Sequence, residues 1–216
     1  MRPVVAWTSG IAGLIAYNWW VLVALRPGLM VSPNELFSDL EVTGRPFATA
    51  MQHADLASGL LLSVAFLAAG SRGVRDGGRE WLAMMVFAVA GALGGAFPEM
   101  CSDGANAVCR SRELRFQLPV QQYMHIVAGI LEFGGITVAL FYAWRRTRDE
   151  KTANARVYRG LARTAFIAYP ILGLAYLLNR LGSVVEAVFF VGFTLIVLAQ
   201  LHERTDALRA WRSERR

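Results

Sequence analysis

The chain reads as all-α, an integral membrane bundle of six transmembrane helices with both termini in the cytoplasm. Six apolar runs, at roughly 5–25, 53–71, 81–98, 120–143, 161–179 and 183–202, recur along 216 residues of which 55% are hydrophobic. Each approaches the ~20 residues that a helix rising ~1.5 Å per residue needs to cross a ~30 Å hydrocarbon core. The loops between them alternate between arginine-rich and arginine-poor. Lipid leaves no water to satisfy backbone N–H and C=O groups, so spanning segments without strand-like alternation must be helices.

Taken in order, the first run ends in Tyr17-Asn18-Trp19-Trp20, whose aromatics suit a membrane interface. It lacks an A-x-A-like site, so a removable signal is not expected. The first outer loop, 26–52, carries Ser32-Pro33-Asn34-Glu35, which resembles a helix start. Its acids Glu35, Asp39 and Glu41 are expected to form a solvated face. Thr43-Gly44-Arg45-Pro46 then breaks the segment before the second run. The third run holds Gly91-x-x-x-Gly95, a small-residue motif that seats a neighbouring helix. The second outer loop, 99–119, contains both cysteines of the chain, Cys101 and Cys109. A disulfide between them is expected, with free thiols or a metal pair as alternatives. Residues 1–203 form one transmembrane domain, and 204–216 a basic cytoplasmic tail.

The basic residues orient the bundle. Arg2, the loops holding Arg72, Arg75 and Arg79 and Arg145 to Arg163, and the end from Arg204 to Arg216 place 16 of them on one side. Arg26, Arg45, Arg110, Arg112, Arg115 and Arg180 place 6 on the other. The positive-inside rule puts the richer side in the cytoplasm and makes the chain a multi-pass protein of the inner (plasma) membrane. The net charge of +6 follows from this topology, and nucleic-acid binding is not expected, because no separate basic domain exists.

Ionisable and amide groups inside membrane helices are expensive and mark candidate sites. The fourth run carries Gln121, His125 and Glu132, whose spacings of four and seven share one helix face. His125 lies roughly 8 Å below the outer end, and Glu132 near mid-membrane. The second run offers Asp55 and Ser58 on one face, with His53 displaced from them. Glu99 follows Phe97-Pro98 at the outer level, Glu186 begins the sixth run there, and Asn18 approaches from the first. Polar groups thus gather in the outer half, while the inner halves are plain Leu, Val, Ala and Phe.

An outward-facing polar cavity is therefore expected, in a protein that binds a lipid or an apolar small molecule or that acts as an accessory subunit of a membrane complex with a membrane-protein partner. The alternatives are a metal-dependent lipid hydrolase or transferase at the outer face, and a small-molecule transporter. Zinc would use His53 and His125 with carboxylates, although no H-E-x-x-H or H-x-x-x-H pair exists. The same histidines are the candidates for axial haem ligation. No G-x-S-x-G elbow marks a nucleophile. No paired broken helices or repeat symmetry marks a transporter.

The stretches Asn34-Glu35-Leu36, Gly44-Arg45-Pro46-Phe47-Ala48 and Ala54-Asp55-x-x-x-Gly59, with Phe97-Pro98-Glu99-x-Cys101, Cys109 and His125, resemble a known family. It is the bacterial domain-of-unknown-function family nine-nine-eight, in particular its actinobacterial branch, itself distantly similar to the FRAG/DRAM/SFK group of lipid-linked eukaryotic proteins. The resemblance implies six helices and cytoplasmic termini and no established catalytic residues. Two places depart from the family's pattern: Glu99 follows Phe97-Pro98 directly instead of two residues later, and Gln117-Leu118-Pro119 stands where a serine-rich stretch is expected.

Overall fold

The computed structural model describes residues 2–22, 26, 28, 29, 32, 34–70 and 77–213. Among them are seven α-helices and no strand. They are α1 (Arg2–Tyr17), α2 (Ala48–Ala69), α3 (Gly77–Ala96), α4 (Ala107–Leu114), α5 (Val120–Thr147), α6 (Ala153–Leu178) and α7 (Gly182–Ser213). A 3-10 turn at Asn18–Trp20 continues α1, and another at Ser38–Glu41 shapes the loop before α2.

Four helices are long and apolar enough to cross a membrane: α2, α5, α6, and α7 over Gly182–Ala207. The 16 residues of α1 span only about 24 Å at the rise of a helix. The first turn of α3 carries Arg79 and Glu80, which dilute its apolar run. α6 outlasts its apolar run, with both ends capped. Thr152 accepts a hydrogen bond from the Ala155 N–H at 3.2 Å to open α6 well before the apolar run that starts near residue 161. Asn179, in the left-handed conformation, closes it.

The six long helices close into a ring in the order α1, α2, α3, α5, α6, α7, with α7 returning to α1. Between lipid-facing helices there is little hydrophobic driving force, so close packing decides the contacts. Small residues supply it on one side of the ring. A Cβ on Gly59 of α2 would lie 2.2 Å from the Ala92 N of α3, and one on Gly95 of α3 would lie 2.4 Å from the Leu56 N of α2. Gly135 of α5 approaches the α3 backbone at Phe87 in the same way, at 2.9 Å. Gly95 therefore does what the small-residue motif predicts, but Gly91 faces the carboxyl of Glu132 instead of a backbone. The opposite side, around α6, is less tightly joined.

One end of the ring is capped by the Ser38–Glu41 turn, α4 and the bonded pair Cys101–Cys109. The other is held by arginine: Arg146 of α5 and Arg204 of α7 lie there with Glu80, Glu203, Gln200 and Tyr158. Trp7 near the start of α1 donates to Thr205 at the same end. Between the two lies a layer of rings, with Phe193 5.2 Å from Phe87 and 5.3 Å from Phe133.

Three expectations need correction. Glu35, Asp39 and Glu41 do not form a solvated face, since all three are 0% exposed. Two of them have a polar neighbour that replaces water: Glu35 pairs with Arg45, and Asp39 accepts from the Leu36 N–H at 2.8 Å, whereas both carboxyl oxygens of Glu41 lack a hydrogen-bond partner among the described residues. Ser32 to Glu35 open a turn and no helix, because the Glu35 carboxylate accepts from the Ser32 N–H at 3.1 Å and folds the segment back on itself. The end expected to be plain is not plain, and no structural break falls at residue 203: α7 runs on to Ser213, and Arg204 is fully buried. Pro33, Arg72, Arg75, Arg215 and Arg216 of the sequence reading lie outside the described residues.

Candidate functional site

Beneath the cap lies a cavity of about 650 Å³ to which all six long helices contribute. Its floor is the ring layer: Tyr17, Phe87, Phe133 and Phe190 line it, with Leu62 of α2 beside them. Its roof is the turn before α2, through Phe37, Ser38 and Glu41. Its wall along α5 and α6 is made of Ile126, Ile130, Pro170 and Leu177, with Gly129 and Gly173 between them. No atom lies within 4 Å of a Cβ placed on Gly129, Gly173 or Gly94, so these glycines leave the space open. Pro170 also removes the N–H that would have paired with the Phe166 carbonyl in α6.

Six of the eight candidates proposed from sequence line this cavity: Asp55, Ser58, Glu99, His125, Glu132 and Glu186. The helical periodicity that put Asp55 and Ser58 on one face, and His53 on another, holds: His53 is exposed and does not line the cavity. Asn18 and Gln121 are not brought to it. Asn18 donates to the Leu14 carbonyl at 2.8 Å and to Thr194 of α7 at 3.0 Å, tying two helices together. Gln121 donates to the Pro98 carbonyl at 2.8 Å and fastens the end of α3.

The polar wall is built group by group. Trp19 donates its indole N–H to Asp55 at 2.5 Å. The Phe37 N–H donates to Glu186 at 2.6 Å, so the roof is hung from α7. The buried hydroxyl of Tyr17 has no hydrogen-bond partner among the described residues. His125 holds its Nδ1 3.2 Å from the Gly94 carbonyl and 3.0 Å from the Phe97 carbonyl. Carbonyls only accept, so Nδ1 is the donor and Nε2 is left facing Glu99, whose Oε1 is 3.6 Å away. Glu99 accepts from the Ser38 hydroxyl at 3.2 Å through that same oxygen, while its Oε2 has no hydrogen-bond partner among the described residues. The hydroxyl of Ser58, only 1% exposed, has none either.

Burial pushes the carboxyl of Glu99 well above the ordinary range, and the nearby acids Asp39, Asp103 and Glu113 push it further. Glu41 is raised in the same way, first by burial and then by Asp55. Asp39, further into the cap, is pushed up to about 6 by burial, against hydrogen bonds from Ser102 and Leu36 that favour the ionised form.

Sequence reasoning missed Glu41, Tyr17 and Trp19 as lining residues. Tyr17 and Trp19 were read as interface aromatics, and only the close approach of α1 to α2 turns them inward. Glu41 carried a signal, the same run of acids, but its burial depends on how the loop folds over the bundle. Gln122, one position from the predicted Gln121, is the buried glutamine. It accepts from the Met100 N–H at 2.8 Å and donates to Glu113 at 2.7 Å.

Among the described residues no three His, Cys, Asp or Glu side chains are grouped to hold a metal ion. The two histidines proposed as axial ligands are separated, one in the cavity and one on the outside of α2.

Fold and cavity together describe a membrane-type helical protein with an acid-lined interior chamber. The chain belongs to the DUF998 family, proteins of unknown function, whose model matches residues 10–211. No curated protein and no solved structure matches it.

Proposed function

We propose that the protein is a six-span protein of the plasma membrane that binds a lipid or another amphipathic small molecule in the chamber beneath its cap. The observation that carries this reading is the chamber itself: about 650 Å³, apolar at its floor and along α5–α6, polar under its roof. Ligand pockets have this size and this division between apolar lining and a few placed polar groups. Ser58 adds to it, because a buried hydroxyl without a partner costs free energy that a ligand's polar atom would recover.

The cap faces the outside in this reading. Its support is the 16-to-6 asymmetry of basic residues and the Cys101–Cys109 disulfide, which belongs in an oxidising compartment. An impermeant thiol reagent applied to intact cells should label Ser32→Cys and spare Ser213→Cys; the reverse pattern turns the protein over.

The ligand reading is tested by extracting and weighing what co-purifies with the chain. Wild type should retain an amphiphile that Gly129→Leu, which fills open space, releases. Equal retention by both proteins, or none by either, counts against the chamber as a binding site. A lipid hydrolase or transferase is the second reading, favoured by the approach of His125 to Glu99 on the cavity wall. It requires that the extracted amphiphile be turned over by wild type and accumulate intact in His125→Ala.

A further inference from the structure

The chamber's walls hold five carboxyl side chains, Glu41, Asp55, Glu99, Glu132 and Glu186, and, among the described residues, no lysine or arginine lines it. The arginines of the cap are engaged elsewhere, Arg45 with Glu35 and Arg110 with Asp103 at 2.8 Å. Burying acids without a counter-charge is costly, and a site so built lacks the positive partner that such groups ordinarily have. Two further observations bear on what enters. The unpartnered hydroxyl of Ser58 and the unpartnered Oε2 of Glu99 show that the wall's acceptors are not satisfied from within the protein. The same wall is aromatic: Tyr17, Trp19, Phe37 and Tyr176 line it, with Trp19 and Phe37 edge to face at 6.5 Å. Carboxylates interleaved with ring faces are the two groups that hold an ammonium ion.

We propose that the chamber is selective for an amphiphile with a cationic alkylammonium head and an apolar chain, the head lying among Asp55, Glu132 and Glu186 and the chain along the open α5–α6 wall. This rests on the reading of the chamber as a binding site and deepens it. A phosphate or carboxylate head would find no lysine or arginine among the described lining residues to receive it, whereas an ammonium head brings the N–H donors and positive charge that carboxyl oxygens and ring faces hold. The geometry also separates head from tail: the carboxyls hang from the roof and from α2, α5 and α7, whereas Ile126, Ile130 and Leu177 offer only hydrocarbon.

The test compares three probes of one chain length, dodecylamine, dodecanol and dodecanoate, on the full-length protein in nanodiscs of neutral lipid, by calorimetry at neutral pH. Binding to Gly129→Leu is subtracted as bilayer background. Wild type should bind the amine at least tenfold more tightly than the alcohol, and dodecanoate least. Glu132→Gln and Asp55→Asn should each cut the preference for amine over alcohol at least fivefold, with an unchanged size-exclusion profile reporting that the variants are folded; an undiminished preference in both folded variants overturns the assignment. Equal affinity for amine and alcohol, with both lost in Gly129→Leu, overturns the head-group selectivity and leaves the chamber reading standing. Tightest binding of dodecanoate overturns it as well. Failure of all three probes to bind wild type above the Gly129→Leu background removes the binding reading itself.

Discussion

The two ends of the bundle both bury charge, and they do it differently. At the arginine end, Arg146 donates to Glu80 at 3.0 Å and to Glu203 at 2.8 Å. Tyr158 donates to Glu203 at 2.8 Å, and Arg204 donates to Gln200 at 2.9 Å and to the Gly70 carbonyl at 3.1 Å. Two cations face two carboxylates, and among the described residues none of these side chains has a buried polar atom left without a partner. At the cap end, among the described residues, five carboxyls and His125 line an open chamber with no lysine or arginine, and atoms of Tyr17, Glu41, Ser58 and Glu99 have no hydrogen-bond partner. A closed, neutral network is what a structural clamp looks like. An open, one-signed wall has a vacancy in its chemistry, and that distinguishes the end that holds the helices together from the end that can hold something else.

The sharpest way to break this contrast is to remove one cation from the clamp. Arg146→Met should destabilise the protein by about 3 kcal/mol, because buried Glu80 loses its closest cation and Glu203 its ion pair, while Gln200 and Tyr158 compensate only in part. The loss is read as a lowered thermal midpoint in detergent. A midpoint equal to wild type would mean that the network contributes nothing and that the two ends are alike.

The cap should respond to pH where the clamp does not. Burial holds Asp103 up to about 7 and Asp39 up to about 6, against an ordinary value of 3.8. Arg110 pulls Asp103 the other way without overcoming burial and the neighbouring acids. A carboxyl whose folded value is raised binds its proton more tightly in the folded state than in the unfolded chain. Stability from this source is complete below about pH 4 and is lost as pH rises to about 7, when both states are ionised. Hydrogen exchange over 34–41 and 102–110, corrected for its intrinsic rate, should therefore show a firmer cap at about pH 5 than at about pH 8. A cap better protected at the higher pH would contradict the burial of these acids.

The smallest expected effect is the most discriminating. Glu132→Gln exchanges a chamber carboxyl for an amide of the same shape where no arginine or lysine among the described residues lines the wall, so at most a bond of about 1 kcal/mol is at stake. Stability should stay within about 1 kcal/mol of wild type. A loss as large as that of Arg146→Met would make Glu132 a second clamp residue.

Much of this was readable before any coordinates. Runs of apolar residues announce helices at local cost, and the period of 3.6 was enough to put Asp55 with Ser58, and His125 with Glu132, on faces that do turn inward. The cysteine pair was likewise evident from its spacing within one loop. What escaped the sequence depended on contacts between distant segments. The acids Glu35, Asp39 and Glu41 look solvated as a string, and become buried because the loop folds over the bundle, where Arg45 and Ser102 meet Glu35 and the Leu36 N–H meets Asp39. Gln121 and Gln122 differ by one position and about 100° around α5, and only the packing of the cap against that helix decides which is buried. Arg204 reads as the start of a polar tail because one cation after an apolar run resembles a membrane exit. Its guanidinium is instead drawn inward by Gln200 one turn before it and by the Gly70 carbonyl 134 residues away in sequence. Helix formation and face periodicity are local properties, set by neighbouring residues in the chain. The charge balance of a buried cluster is a sum over segments that meet only in the fold, and here that sum is neutral at one end and acidic at the other.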